Sequence, residues 1–250
     1  MNQQFDVTKF NGESMNKEYH KWYSNRVNRD MEMLVYGHSG APVLVFPTSR
    51  GRFFEYEDRG MINSLNYHIE NGWIQIFCVD SVDSESWYNY GAHPAHRSWM
   101  HSQYDSYLLD EVIPFIKMKA NNDYLITHGC SFGGYHAINF GLKYPWLVKS
   151  IISLGGIFDI HDYVMGFWDD NCYYNSPRDF ITGVHGEQLE GIKQQRIILA
   201  TGDQDMCRGY NEDMASKLYE KGIWYQLDIW NNTGHDWPWW QEMAKLYLKP

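Results

Sequence analysis

Short runs of apolar and β-branched residues recur along the chain, each closed by turn formers or followed by a stretch with helical spacing. They are Met31–Tyr36, Val43–Phe46, Ile74–Val79, Tyr124–Thr127, Ile151–Leu154, Arg196–Ala200 and Trp224–Ile229, and each reads as a strand. The later runs are nearly all apolar, as strands must be when helices cover both faces of a parallel sheet. Met61–Asn71, Trp99–Lys119, Phe132–Tyr144, Glu212–Lys221 and Trp239–Leu248 read as the crossover helices between them. Because Gly37-His38-Ser39-Gly40-Ala41-Pro42 is dense in turn formers, the first two runs are expected to form a hairpin ahead of βαβ units. The expected fold class is therefore α/β, with a mostly parallel central sheet and helices on both faces. Ligands of such a sheet sit beyond the carboxyl ends of its strands.

No repeat or Gly/Ser linker divides the chain, so a single domain spanning residues 1–250 is expected. Only the interval 159–191, rich in rings and Asp, breaks the regular spacing. It is expected to act as a lid or binding loop, with a surface excursion as the equal alternative.

Composition narrows the function classes. With 21 Lys and Arg against 31 Asp and Glu, the net charge of −10 repels phosphate backbones and anionic lipid heads, which argues against nucleic acid and membrane partners. No apolar run approaches the roughly 20 residues of a spanning helix. The opening MNQQFDVTKFNGES lacks the regions of a secretory signal, so a cytoplasmic location is expected. Cys78, Cys130, Cys172 and Cys207 are too scattered for a disulfide framework and are expected to be free thiols. A homo-oligomer is compatible with the chain.

The strongest chemical signal runs from Tyr124 to Gly134, where a strand, a tight turn and a helix frame G-x-S-x-G centred on Ser131. Such a turn strains its central residue, and glycines two places to either side avoid clashes between turn, strand and helix. Ser131 would then project above the sheet as a nucleophile. The N–H of Phe132 would face the oxygen that becomes an oxyanion. Cys130 is the rival nucleophile, but a frame centred on it would need glycine at 128 and 132, where His128 and Phe132 stand.

A serine hydroxyl needs an imidazole to take its proton and a carboxylate to fix the imidazole's tautomer. Among eleven histidines, His235 follows the last predicted strand after a glycine and precedes the final helix. His128 and His136 flank the turn but are poorly aimed at Ser131, so structural roles are expected. For the acid, Asp205 in Gly202-Asp203-Gln204-Asp205 is favoured over Asp203, which suits capping the turn. Asp236 suits capping the helix that begins near Pro238.

With Gly129–Gly133, Gly202–Asp205 and Gly234-His235-Asp236-Trp237-Pro238-Trp239-Trp240 in place, the chain resembles the α/β-hydrolase superfamily. More narrowly, it resembles the putative-esterase family of esterase D (S-formylglutathione hydrolase), feruloyl esterases, enterochelin esterases and mycolyltransferases. The likeness runs from about Met31. The His-x-Trp-x-x-Trp that starts at His235 is similar to that family's C-terminal signature. Matched position by position, the resemblance implies Ser131, Asp205 and His235 as the triad of a cofactor-free serine hydrolase. It also implies a second oxyanion donor in Pro47-Thr48-Ser49-Arg50-Gly51, with Thr48 or Ser49 as candidates, although the HGGG-type run of lipases is absent.

In the same loop Arg50 and Arg52 are candidates to meet an anionic substrate group, against the commoner solvated role. Trp168, Tyr173 and Tyr174 are the candidates for an acyl or aryl pocket. The segment Ser84–Tyr90 could supply a wall of the cleft, and Trp237, Trp239 and Trp240 are expected to pack the last helix. A zinc reading of His93, His96 and His101 lacks supporting ligand spacing, so no metal is expected. The expected substrate is a small carboxylic ester. Acyl transfer or thioester hydrolysis at the same site, and a non-catalytic binding protein, are the alternatives.

Overall fold

A computed structural model of the chain describes residues 15–249. Eight strands form one sheet: β1 Lys17–Ser24, β2 Arg29–Tyr36, β3 Ala41–Phe46, β4 Ile74–Val79, β5 Leu125–Cys130, β6 Val148–Leu154, β7 Arg196–Gly202 and β8 Gln226–Trp230. Their spatial order is β1-β2-β4-β3-β5-β6-β7-β8. From β4 to β8 every neighbouring pair is parallel, whereas β1–β2 and β2–β4 are antiparallel.

Period-two alternation sends neighbouring side chains of a strand to opposite faces. Val43 and Val45 join one core with Ile76, Cys78, Ile198 and Trp240, while Leu44 and Phe46 join the other with Phe77, Val79 and Leu199. Helices Pro94–Tyr107, Ile113–Lys119, Phe132–Lys143 and Arg208–Glu220 cover the second core, and Trp237–Tyr247 with short helices between Glu55 and Glu70 cover the first. Both faces are thus buried, which is why the central strands are mostly apolar.

The hairpin expected between Met31–Tyr36 and Val43–Phe46 does not form. β2 pairs with β1 on one side and β4 on the other, and β3 lies between β4 and β5. The glycines of the connection serve a crossing instead of a tight turn. Gly40 has φ 101, and a Cβ there would lie 2.3 Å from the Trp73 carbonyl carbon. The true hairpin is β1–β2, with Asn28 in the left-handed region at φ 53. β1 went unread because KEYHKWYS is an edge strand whose few buried positions sit among polar ones.

The predicted helix Trp99–Lys119 begins earlier, at Pro94, and contains a π-helical turn at Leu108–Val112. The final strand begins at Gln226, leaving Trp224 exposed. Within the interval 159–191 lie four short helices: His161–Val164, Asp170–Tyr174, Pro177–Gly183 and Gly186–Ile192. All four cysteines are free and buried. Among the described residues no helix is long and apolar enough to cross a membrane.

Candidate active site

Strand order reverses between β3 and β5, because β4 lies on one side of β3 and all later strands lie on the other. Loops leaving adjacent strands at such a switch point diverge and open a crevice. The loop after β5 holds Ser131 and the loop after β3 holds Ser49, so the fold itself sets the cleft there.

Ser131 has φ 55 and ψ −124, a conformation that a β-carbon resists. The surroundings over-determine it. Its N–H donates to the Leu154 carbonyl at 2.8 Å. A Cβ on Gly129 would lie 2.3 Å from the Gly133 carbonyl, and one on Gly133 would lie 2.4 Å from the Phe46 carbonyl oxygen, so the helix can approach both strands only through glycine. Cys130, the rival nucleophile, is buried beside the Tyr56 hydroxyl.

His235 bridges two partners. Its Nε2 is 2.9 Å from Ser131 Oγ, and its Nδ1 is 2.8 Å from Asp205 Oδ1. The same Asp205 oxygen accepts the Cys207 N–H at 2.7 Å. Burial works to raise the Asp205 pKa, but the His235 hydrogen bond and the Cys207 N–H outweigh it, holding the carboxyl below its ordinary value. An ionised Asp205 is acceptor-only, so Nδ1 carries the proton and Nε2 presents its lone pair to the serine hydroxyl. The Trp240 ring meets the imidazole edge-on at 4.8 Å and limits its rotation.

Asp203 works on the same loop in a different way. Its Oδ1 accepts the Thr233 N–H at 3.1 Å, tying the turn after β7 to the segment that carries His235. Gly202 permits that approach, since a Cβ there would lie 1.8 Å from the Thr233 carbonyl oxygen. Asp236 accepts the Trp237 N–H and caps the final helix.

The three oxyanion candidates differ in their freedom. Phe132 opens its helix, and its N–H has no acceptor among the described residues. The Thr48 donors are occupied: both its N–H and its hydroxyl donate to the Glu55 carboxylate at 2.7 Å. The Arg50 N–H is held by Asp83 Oδ2 at 3.0 Å, and the Gly51 N–H by the Thr48 carbonyl. In that loop the Ser49 N–H is left without an acceptor among the described residues. Asp83, fully buried, places its other oxygen 2.9 Å from His136 Nε2 and so clamps this loop to the helix that follows Ser131.

Of the three rings expected to line a pocket, two line one that does not include Ser131. Trp168 stacks on His161 at 4.5 Å and, with Tyr173, lines a cleft of about 430 Å³ in the interval 159–191. Tyr174 is exposed and packs edge-on against Tyr173. Beyond Tyr135 and His136 of its own helix, the rings against Phe132 are Tyr88, at 5.2 Å, and Tyr163, at 5.4 Å. Tyr88 donates to Ser49 Oγ at 2.7 Å and lies 3.1 Å from the Tyr163 hydroxyl. The segment Ser84–Tyr90 thus divides: Trp87 is fully buried, whereas Tyr88 is partly buried beside Ser49.

Sequence reasoning missed Tyr163, Glu55 and Asp83 as parts of the site. Only Asp83 left a trace, through its place just after a strand.

His93, His96 and His101 do not converge on one another. His93 caps its helix, His96 is exposed beside Trp99, and His101 is buried against Trp87. Among the described residues, metal-competent atoms gather only at Asp205, Cys207 and His235. There the first and last already bond each other. Burial and Asp205 push the Cys207 thiol up to about 12, so it stays protonated and is a poor ligand.

The Putative esterase family profile matches residues 24–244. The chain belongs to the Putative esterase family. Its fold is the α/β-hydrolase fold of its structural neighbours. An S-formylglutathione hydrolase from Agrobacterium tumefaciens superposes with a TM-score of 0.77 at 14% identity, covering 98% of this chain and 97% of that one. A CE1 ferulic acid esterase from Anaeromyces mucronatus gives 0.72 at 12% identity, covering 97% and 93%. The fluorophosphonate-binding serine hydrolase FphF from Staphylococcus aureus gives 0.69 at 16% identity, covering 94% and 97%. No curated protein matches the chain at the level of sequence.

Proposed function

We propose that this Putative esterase family member is a serine hydrolase of carboxylic esters that works through an acyl-enzyme. The observation that carries the reading is His235, whose two ring nitrogens lie within hydrogen-bonding distance of Ser131 Oγ and Asp205 Oδ1 at once. Ser131 Oγ attacks the ester carbonyl carbon while its proton passes to His235 Nε2. The imidazolium so formed is stabilised by Asp205, which remains ionised. Negative charge develops on the carbonyl oxygen, where the free N–H groups of Phe132 and Ser49 are the available donors. As the tetrahedral intermediate collapses, the bond to the alkoxy oxygen breaks and His235 gives its proton to the leaving alcohol. Water, deprotonated by the same nitrogen, then attacks the acyl-enzyme, and the acid departs with Ser131 restored.

The reading extends to the substrate wall. Tyr88 and Tyr163 flank Phe132 and are the rings best placed to contact the acyl or alcohol group, and the Trp168–Tyr173 cleft is a more distant candidate. A fluorophosphonate probe together with a series of p-nitrophenyl esters tests the proposal. Labelling of the native protein that disappears in Ser131→Ala, with ester turnover, is expected. Labelling that persists in that variant, or no turnover at any acyl length, would overturn it.

A further inference from the structure

Of nine arginines, five form ion pairs with carboxylates, and Arg50, Arg59, Arg97 and Arg196 form none among the described residues. Two of these four lie against the rings that follow β4. Of the pair in the loop after β3, Arg52 bonds Asp80 and Glu32 at 2.6 Å each, and its charge is neutralised within the fold. Arg50 is exposed and has no ion pair among the described residues. Its guanidinium lies 5.3 Å from the Tyr88 ring centroid. The backbone at Arg50 is in the left-handed region, φ 58, and its N–H is fixed by buried Asp83, so the side chain leaves from a defined position next to Ser49.

Arg97 is the more unusual of the two. It is fully buried on helix Pro94–Tyr107, yet no carboxylate pairs with it among the described residues. One Nη donates to the Tyr163 carbonyl at 2.5 Å and the other approaches Met165 Sδ at 3.5 Å, while Nε is buried with no partner. Its guanidinium lies 5.5 Å from the Tyr90 ring centroid. A buried cation held only by a carbonyl, a thioether and a ring face is a costly arrangement that an arriving anion relieves.

The two features meet on one wall. Tyr88 and Tyr90 stand edge-to-face at 6.3 Å, so Arg50 and Arg97 lie on adjacent rings, and Tyr88 also packs on Phe132, the residue after Ser131. We propose that this wall selects esters that carry a carboxylate in addition to the scissile bond. Arg50 receives it at the exposed edge, and Arg97 supports the charge from behind Tyr90. The fork of a guanidinium matches a carboxylate bidentately. The net charge of −10 repels an anionic substrate at long range, which makes a local pair of uncompensated cations the means of holding one. This deepens the esterase reading and rests on it.

The experiment compares kcat/KM within two matched pairs. One pair is 4-acetoxybenzoate and its methyl ester, with the charge on the leaving half. The other is the mono-p-nitrophenyl ester of terephthalic acid and its methyl ester, with the charge on the acyl half. The native protein is expected to favour the carboxylate member of at least one pair by roughly ten- to a hundredfold, the range of a charge-assisted hydrogen bond. Arg50→Gln is expected to bring that ratio down about tenfold, chiefly through KM, and Arg50→Lys to restore part of it. Arg97→Gln lowers the ratio as well, and Arg97→Met, which also removes the charge, replaces it as the variant read if the glutamine form does not fold. Taking ratios between variants cancels the intrinsic reactivity of each ester. A native protein without preference for either carboxylate member, or a preference that survives Arg50→Gln, overturns the proposal. If neither member of any pair is hydrolysed and fluorophosphonate does not label Ser131, the esterase reading falls, and this inference with it.

Discussion

A serine hydroxyl gains a base only when an imidazole lone pair is aimed at it, so the chemistry proposed here turns on the tautomer of His235. Asp205 fixes that tautomer by accepting a hydrogen bond from Nδ1–H at 2.8 Å. Asp205→Asn can donate to Nδ1 instead and would turn the N–H of Nε2 towards Ser131. A loss of roughly 10⁴-fold in kcat with little change in fold is expected, read by ester turnover and circular dichroism. Protonation of His235 removes the lone pair altogether, so kcat/KM is expected to fall on the acid side, and a flat acid limb would contradict the assigned base. Asp205, whose pKa is lowered in the fold, stays ionised below the usual carboxylate value of 3.8 and does not set that limb. At this scale the sequence was most informative about Ser131, because the glycine frame and the strained turn are local. Thr48 and Ser49 stayed equivalent in the sequence. Glu55, seven residues from Thr48, distinguishes them by occupying the Thr48 N–H, and Ser49 is the donor proposed here.

At the scale of elements, the site depends on how closely loops can approach one another. Gly202→Ala would place a Cβ 1.8 Å from the Thr233 carbonyl oxygen, forcing apart the segments that carry Asp205 and His235. A protein that still folds but loses most of its turnover is expected, with KM less affected than kcat. Asp83 joins the loop after β3 to the helix after Ser131 through the Arg50 N–H and His136. Asp83→Asn keeps the shape but weakens both bonds. A destabilisation of about 1–3 kcal/mol, measured by denaturant unfolding, is expected, with a drop in kcat as the Ser49 N–H loses its fixed direction. Helices and central strands were legible because their burial imposes a strong pattern. The edge strand Lys17–Ser24 and the path of Gly37–Pro42 were not, because one is half polar and the other contains turn residues that suit a hairpin and a crossing equally.

For the whole molecule, buried histidines make stability depend on pH. His128 lies at the centre of the sheet, its Nδ1 donating to the Ile152 carbonyl at 2.9 Å. Burial pushes its pKa down to about 4, against a smaller opposing effect of that carbonyl. Burial also holds His101 well below its ordinary value. Both are neutral in the folded chain, while an unfolded chain takes up protons near 6.5. Stability is therefore complete above about 6.5 and is lost as pH falls towards 4, by up to about 3 kcal/mol for His128 alone. Urea unfolding at pH 7 and pH 4.5 measures the loss, and His128→Gln is expected to flatten it. Unfolding free energies that do not change over this interval would contradict buried neutral imidazoles.

The sequence by itself determined the α/β class, the turn that carries Ser131 and the segments that carry Asp205 and His235, since each follows from periodicity or from residues close together in the chain. The tertiary structure alone decided the order of the strands, which backbone N–H groups remain free, and which rings and arginines face the cleft. Those properties arise where segments distant in sequence compete for the same space and the same hydrogen-bond partners, and no local pattern records the outcome of that competition.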